Sequence, residues 1–201
     1  MKDNLKLLTK DYFNHHPVKE MSPAMIEYAL VSDPKMKDAA ENIGPILQKN
    51  GLPIPDDSEQ LAQIAQEEDT EELIRMLRKS LYPSAQRRLR EKLLSREEEA
   101  LPAIQRLIRR SMNDNAIENC THFLESCQEN CTAWIIENYG TIRAPYAKSM
   151  LCLVLGFRAA PDVIPFLMRQ VNAFETQFPD ESFEQGPLLA LYEIRDRFRT
   201  A

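Results

Sequence analysis

Catalysis and metal binding need reactive side chains spaced so that they can converge, and this 201-residue chain offers few such stretches. It has three histidines, His15, His16 and His122. Adjacent residues point to different faces of a helix, so His15 and His16 do not chelate one ion. A place near a helix C-terminus, where imidazolium complements the dipole, suits them better. The four cysteines, Cys120, Cys127, Cys131 and Cys152, lack the paired C-x-x-C spacing of a zinc site. Cys127 and Cys131 are spaced to align two thiolates on one helical face, yet Gln128-Glu129-Asn130 between them reads as an inter-helix turn. The expectation is free thiols acting as small core residues. The acidic runs Glu67-Glu68-Asp69 and Glu97-Glu98-Glu99 fall at helix ends and turns, where a solvated acidic face is the default. Ser-His-Asp logic, a glycine-rich phosphate loop and a nucleophile elbow are all missing from the sequence. These residues predict a non-enzymatic protein with no catalytic residue, cofactor or metal.

The feature that stands out is charge. Between Thr70 and Arg110 eleven Lys or Arg face six Asp or Glu, although the whole chain carries −6. Arg75, Arg78 and Lys79 belong to one amphipathic segment, Arg87, Arg88, Arg90 and Lys92 to the next, and Arg106, Arg109 and Arg110 to a third. A basic stripe across stacked helices is the footprint of a phosphate-backbone binder, or of a dock for an acidic protein. Against nucleic acid, no aromatics interleave with the arginines, and the overall pI is near 5.2. Helix-dipole complementation by last-turn arginines is the simpler account. The candidate partner-binding residues are Arg87, Arg88, Lys92, Arg106, Arg109 and Arg110.

The elements that must position these residues read as helices throughout. The chain is 43% hydrophobic and 28% charged, ordinary for a globular protein and too apolar for disorder. Alternating runs of strand type are nearly absent, and many of the 13 prolines, such as Pro23, Pro34, Pro83, Pro145 and Pro161, stand just before helical patterns. The fold class is therefore all-α. No run approaches the ~18–20 apolar residues of a membrane span. Met1-Lys2-Asp3-Asn4 opens a polar amphipathic segment rather than a signal peptide, so the expected compartment is the cytoplasm.

The most informative stretch is Ile142 to Phe198. Pro145 suits a first helical turn, Met150–Leu155 is apolar nearly all round, and Gly156 suits the left-handed position past a helix end. A second helix follows with Asp162 as N-cap, Pro165 in the first turn and Val163, Ile164, Leu167, Val171 and Phe174 inward. After a loop at Phe178–Ser182, the last helix carries Leu188, Leu191, Tyr192, Arg195 and Phe198.

Upstream, one helix is expected over Asn4–His16, ending before Pro17. Others open at Ser22-Pro23 and Asp33-Pro34, and Asn50 to Asp57 breaks the pattern. From Ser58 helices resume: one with Leu61 and Ile64, one capped at Asp69 or Thr70 with Leu73, Ile74 and Leu77 inward, and one from Pro83. Ser95-Arg96-Glu97-Glu98 reads as a capping box opening a helix that Pro102 kinks. Ile117, Cys120, Phe123 and Leu124 form a further face, and Thr132–Tyr139 holds Trp134, the lone tryptophan, as a core residue. Helix pairs recur at roughly 30-residue spacing.

Asp162-x-x-Pro165-x-Leu167 and Ile142-Arg143-x-x-x-Ala147 resemble the first- and second-helix signatures of the HEAT-repeat family. The resemblance fits best over Glu129–Phe198, loosely over Thr70–Cys127, and does not reach the first fifty or so residues. It implies an α-α superhelix of HEAT-like helix pairs, each touching its neighbours, that acts as a binding scaffold. Asn138 stands where the family has Asp, and Gln185-Gly186-Pro187 replaces the Val-Arg step, so a ladder of Asp–Arg contacts does not follow. The expected organisation is an N-terminal helical cap over residues 1–50 and a repeat array over 51–201. The expected function is a protein-interaction scaffold with a protein partner; nucleic-acid binding through residues 70–110 is the alternative.

Overall fold

The structure, a computed structural model, describes residues 2–19, 48–51 and 56–199. Every regular element in those residues is helical, and no strand occurs among them. The helices expected from Ser22 and Asp33 lie outside the described residues. At the edge of the expected break Gly51 has φ 67°, the left-handed conformation on which helices commonly end.

The expected first helix is in fact two, α1 (Lys2–Leu5) and α2 (Lys10–His15). Thr9 divides them. Its hydroxyl accepts from the Tyr12 amide at 3.0 Å, a cap that starts a new helix inside a continuous amphipathic pattern.

From Ser58 onward helices follow one another through short turns: α3 (Ser58–Gln66), α4 (Thr70–Met76), α5 (Pro83–Leu94), α6 (Glu97–Arg110), α7 (Asp114–Ser126), α8 (Thr132–Asn138), α9 (Pro145–Arg158), α10 (Ile164–Gln177) and α11 (Gln185–Arg199). Local chemistry sets most starts. Asp69 caps α4 by accepting from the Glu71 amide at 2.8 Å, and Asn113 caps α7 by accepting from Ala116 at 2.8 Å. Pro83 and Pro145 occupy first turns, where no hydrogen bond is lost.

Packing follows an alternating order. Helices α3, α5, α7, α9 and α11 pack each against the next, while α4, α6, α8 and α10 each pack on the helix that follows. Helices α4 and α6 also touch directly. Helix α9 is buried from Ser149 through Gly156 because α7, α8 and α11 surround it, which accounts for its all-round apolar sequence. Each leucine so buried contributes about 1.5–3 kcal/mol. Two buried polar side chains are satisfied by carbonyls: Asn119 Nδ2 donates to that of Leu77 at 3.0 Å and Ser149 Oγ to that of Phe183 at 2.6 Å.

Three local expectations are corrected. Gly156 lies inside α9, without a left-handed φ, at a close approach to α11. Ser95 does not cap α6; its hydroxyl donates to the Lys92 carbonyl at 2.7 Å as part of the end of α5, and Arg96 holds the N-cap position. Asp162 is exposed in a 3-10 turn, Pro161–Val163, and makes no cap bond to α10. Pro102 does lie inside α6. Trp134 is half-buried and packs against the core.

The N-terminal segment packs on the far end of the chain. Helix α1 touches α10 and the Pro161–Val163 turn. The ring of Phe13, buried, is centred 4.0 Å from that of Tyr192, with the Arg195 guanidinium 4.8 Å from its own centre. His16 Nδ1 lies 3.0 Å from Glu175 Oε1, and the Lys19 amide donates to Gln185 Oε1 at 3.1 Å. Among the described residues no helix is long and apolar enough to cross a membrane.

Candidate functional site

The basic segment folds into two separate places. On α4 and the turn that ends it, Leu73, Ile74, Met76 and Leu77 turn inward, which leaves Arg75 and Arg78, three apart, exposed on the outer side. On α6, the buried set Ala100, Leu101, Ala103, Ile104, Leu107 and Ile108 leaves Arg106 and Arg110, four apart, on its outer face. Because α4 and α6 pack together, the two arginine pairs line one groove of ≈ 360 Å³. Ile74, Ala103 and Leu107 form its apolar floor, and Glu71 and Ser111 complete the lining. Arg75 pairs with Glu72 of its own helix.

The other candidate cations lie elsewhere. Arg87, Arg88 and Lys92 belong to α5, which packs between α3 and α7, and they do not line this groove. Arg88 lies 3.4 Å from Glu91. Lys92 Nζ donates to the carbonyls of Ile64 and Ala65 at 3.1 and 2.8 Å, and lies 3.2 Å from Glu68. Arg109 Nε donates to Thr141 Oγ1 at 3.1 Å, and its carbonyl accepts from the Arg143 amide at 3.1 Å. Of the six candidates, then, Arg106 and Arg110 share a site, completed by Arg75 and Arg78. Helix periodicity placed each pair on a face. What it lacked was the adjacency of α4 to α6 rather than of α5 to α6 through their arginine faces.

Lys92 also introduces a second pattern, in which a cation near the end of one helix caps the end of the helix packed before it. Lys92 on α5 satisfies carbonyls ending α3. Arg158 on α9 donates to the carbonyls of Leu124, Glu125, Cys127, Gln128 and Glu129, with 2.7 Å to Glu125 and 3.0 Å to Glu129. Arg197 on α11 donates to the carbonyls of Gly156 and Ala159, the latter at 3.1 Å. Each cation meets orphan carbonyls at the negative end of a dipole. This pattern was not anticipated from the sequence, although last-turn cations were its signal. Lys92 and Arg96 also hold the Glu68 carboxyl below its ordinary range, with Lys92 the larger influence.

A third cluster is half-buried. Burial pushes the Glu125 carboxyl up, against the opposing influence of Arg90 and Arg158, and Glu193 adds to the rise. Burial also pushes Glu193 up, while Arg197 opposes it. Burial pulls His122 down to about 4, with Arg90 adding to the effect. The shared direction is toward the neutral form of each group.

The sulfurs of Cys127 and Cys131 lie 3.6 Å apart in the turn between α7 and α8, beneath Arg158. Their mutual hydrogen bond draws the Cys127 thiol down and pushes the Cys131 thiol up. Cys120 and Cys152 are buried and free. His15 Nδ1 approaches the Asp11 carbonyl at 2.8 Å while His16 faces Glu175, so the two rings have different partners. Among the described residues, no group of three or more His, Cys, Asp or Glu side chains is arranged to hold a metal ion.

No protein-family model, curated protein or solved structure matches this chain.

Proposed function

We propose that this chain is a non-enzymatic interaction scaffold of HEAT-like repeats, coiled as an α-α superhelix, that presents the outer surfaces of stacked helix pairs to a protein partner in the cytoplasm. One observation carries the reading: α5, α7, α9 and α11 pack in sequence order, and each takes its preceding helix as a partner. Units that contact only their neighbours build extended faces rather than one enclosed site, and such faces suit macromolecular partners. The capping of helix ends from the next packed helix supports the same reading, since it ties neighbours together without using the outer faces. Residues 51–201 form the array in this proposal. The N-terminal segment closes its C-terminal end through Phe13 and Tyr192.

The test is a pull-down with the immobilised full chain at physiological salt, paired with a broad activity screen. A specific, saturable protein partner and no turnover is the expected result. Recovery of no partner, with or without turnover, overturns the reading.

Nucleic-acid binding is the second reading, favoured by the clustering of Arg75, Arg78, Arg106 and Arg110. With Arg87, Arg88 and Lys92 on another helix, four groove contacts give a salt slope of about −3.6 in log K per log unit of salt. An anisotropy titration of duplex DNA at low ionic strength that shows no binding eliminates it.

A further inference from the structure

We infer that the groove between α4 and α6 docks an acidic, amphipathic helical segment of a partner protein, with arginines holding its carboxylates and the apolar floor taking its hydrophobic side chains. This inference rests on the scaffold reading and gives its partner a chemistry.

Among the described residues the groove's lining carries four arginines against one carboxylate, that of Glu71. Among the described residues Arg78, Arg106 and Arg110 form no ion pair, and Arg75 has one, to Glu72 within its own helix. The protein as a whole carries −6, so the groove is a local reversal of sign rather than part of a basic protein. Clustered cations on low-dielectric walls attract anions. Guanidinium is the side chain that grips a carboxylate through two parallel hydrogen bonds.

The floor decides which anion. Ile74 and Leu107 keep 7% and 9% of their surface, whereas Leu73, Ile104 and Ile108 on the inward side keep none. The groove therefore offers a narrow strip of apolar contact along with charge, the combination a helix-in-groove interface uses. A phosphate backbone has no use for that floor. Among the described residues no aromatic ring lines the groove to stack a base. A duplex is broader than the furrow between two helices packed about 8–10 Å apart. Glu71 on the lining opposes a continuous row of phosphates, but an acidic helix spaces its charges and can present a lysine or a neutral side chain there.

The probe is a fluorescein-labelled peptide about four helical turns long, with Leu at helical spacing and Glu between. Three competitors complete the set: the same peptide with Gln for Glu, the same with Ser for Leu, and a short DNA duplex. The Glu–Leu peptide is expected to bind at low salt and to weaken as salt rises. Each altered peptide is expected to lose affinity by about tenfold or more. In the full chain, Arg78→Glu with Arg106→Glu should abolish binding, while Arg88→Glu on α5 leaves it unchanged. These sites are exposed, so unchanged circular dichroism and Tm accompany the loss. If the reversed pair unfolds, Arg78→Gln with Arg106→Gln replaces it, with a loss of about tenfold expected.

Absence of Glu–Leu binding at low salt overturns the inference. So does binding that survives the Arg78 and Arg106 changes, or a duplex that binds more tightly than the peptide and displaces it. A pull-down partner held equally by wild type and the Arg78, Arg106 variant overturns this groove while leaving the scaffold reading intact; recovery of no partner by either overturns the scaffold.

Discussion

Gly156 of α9 and Ala190 of α11 meet so closely that a β-carbon on Gly156 would lie 2.6 Å from the Ala190 Cα and 2.9 Å from its Cβ. Seven residues earlier on α9, Ser149 makes the matching contact with Gly186, where a β-carbon would lie 2.2 Å from the Ser149 carbonyl oxygen. Both contacts advance in the same direction along the two helices, so α9 and α11 run alongside each other with small residues at two levels. That closeness lets Arg197 reach back to the end of α9.

Gly156→Ala is therefore expected to destabilise the fold despite the better helix propensity of alanine. Overpacking of this kind costs about 1–3 kcal/mol, and about 2–4 °C of Tm per kcal/mol is lost in a chain of this size. Gly140→Ala is the control, because a β-carbon added there would have nothing within 4 Å. It should leave Tm unchanged or raise it slightly. Equal Tm values for the two variants would show that α9 and α11 are not in close contact.

Arg158→Met should loosen the turn between α7 and α8. The side chain loses its donors to five carbonyls, of which those of Leu124 and Cys127 belong to buried residues. Leaving such acceptors unpaired costs about 1–3 kcal/mol, and Arg158→Lys should recover only part of it because an ammonium cannot span the same set. Hydrogen exchange of residues 127–135 is the decisive readout. A uniform loss of protection across every helix, with no excess at this turn, would contradict local capping.

What the sequence made legible were faces and starts: Pro83 and Pro145 in first turns, the burial of Met150–Leu155, and the outward arginines. Tertiary neighbours were not legible. Ser95 satisfies the capping-box pattern, yet it belongs to the end of α5, because only Arg96 separates it from the start of α6. Gly156 fits a helix stop by local rule, but its missing β-carbon serves the contact with Ala190. The arginines followed the same logic. Periodicity gives each helix its outer face, while alternate packing makes α4 the neighbour of α6 on that side. Arg75 and Arg78 therefore meet Arg106 and Arg110, and Arg87 and Arg88 do not join them.

His122 should make the protein less stable in mild acid. Burial holds its folded pKa at about 4, below the ordinary 6.5. As pH falls below about 6.5 the unfolded chain takes up this proton while the folded chain does not, so stability falls with pH until about 4. The slope contributed is at most about 1.4 kcal/mol per pH unit. Glu125 and Glu193 act in the opposite sense, because burial raises their folded pKa and their protonation favours the fold. His122→Gln isolates the histidine's share: denaturant midpoints of the variant should fall less steeply than those of wild type over that window. Parallel pH profiles would assign the acid sensitivity to other groups.

Phe13→Ala should undock the N-terminal segment. Phe13 is 6% exposed, packed against the Tyr192 ring and under the Arg195 guanidinium, and it anchors the segment together with buried Leu8 and the polar contacts of His16 and Lys19. Deleting a buried phenylalanine side chain costs about 3–5 kcal/mol where the site cannot collapse. Here the loss is limited to the docking free energy of the segment, since residues 2–19 can leave while α5 to α9 stay packed. The variant should expose residues 2–19 to rapid hydrogen exchange and to protease, and Tyr192 to solvent, with amides of α5, α7 and α9 keeping their protection. Phe13→Leu, which retains apolar contact but loses the ring, should fall between wild type and Phe13→Ala. If Phe13→Ala instead lowers protection equally through α5, α7 and α9, the N-terminal segment is part of the cooperative core rather than a cap laid on α10 and α11.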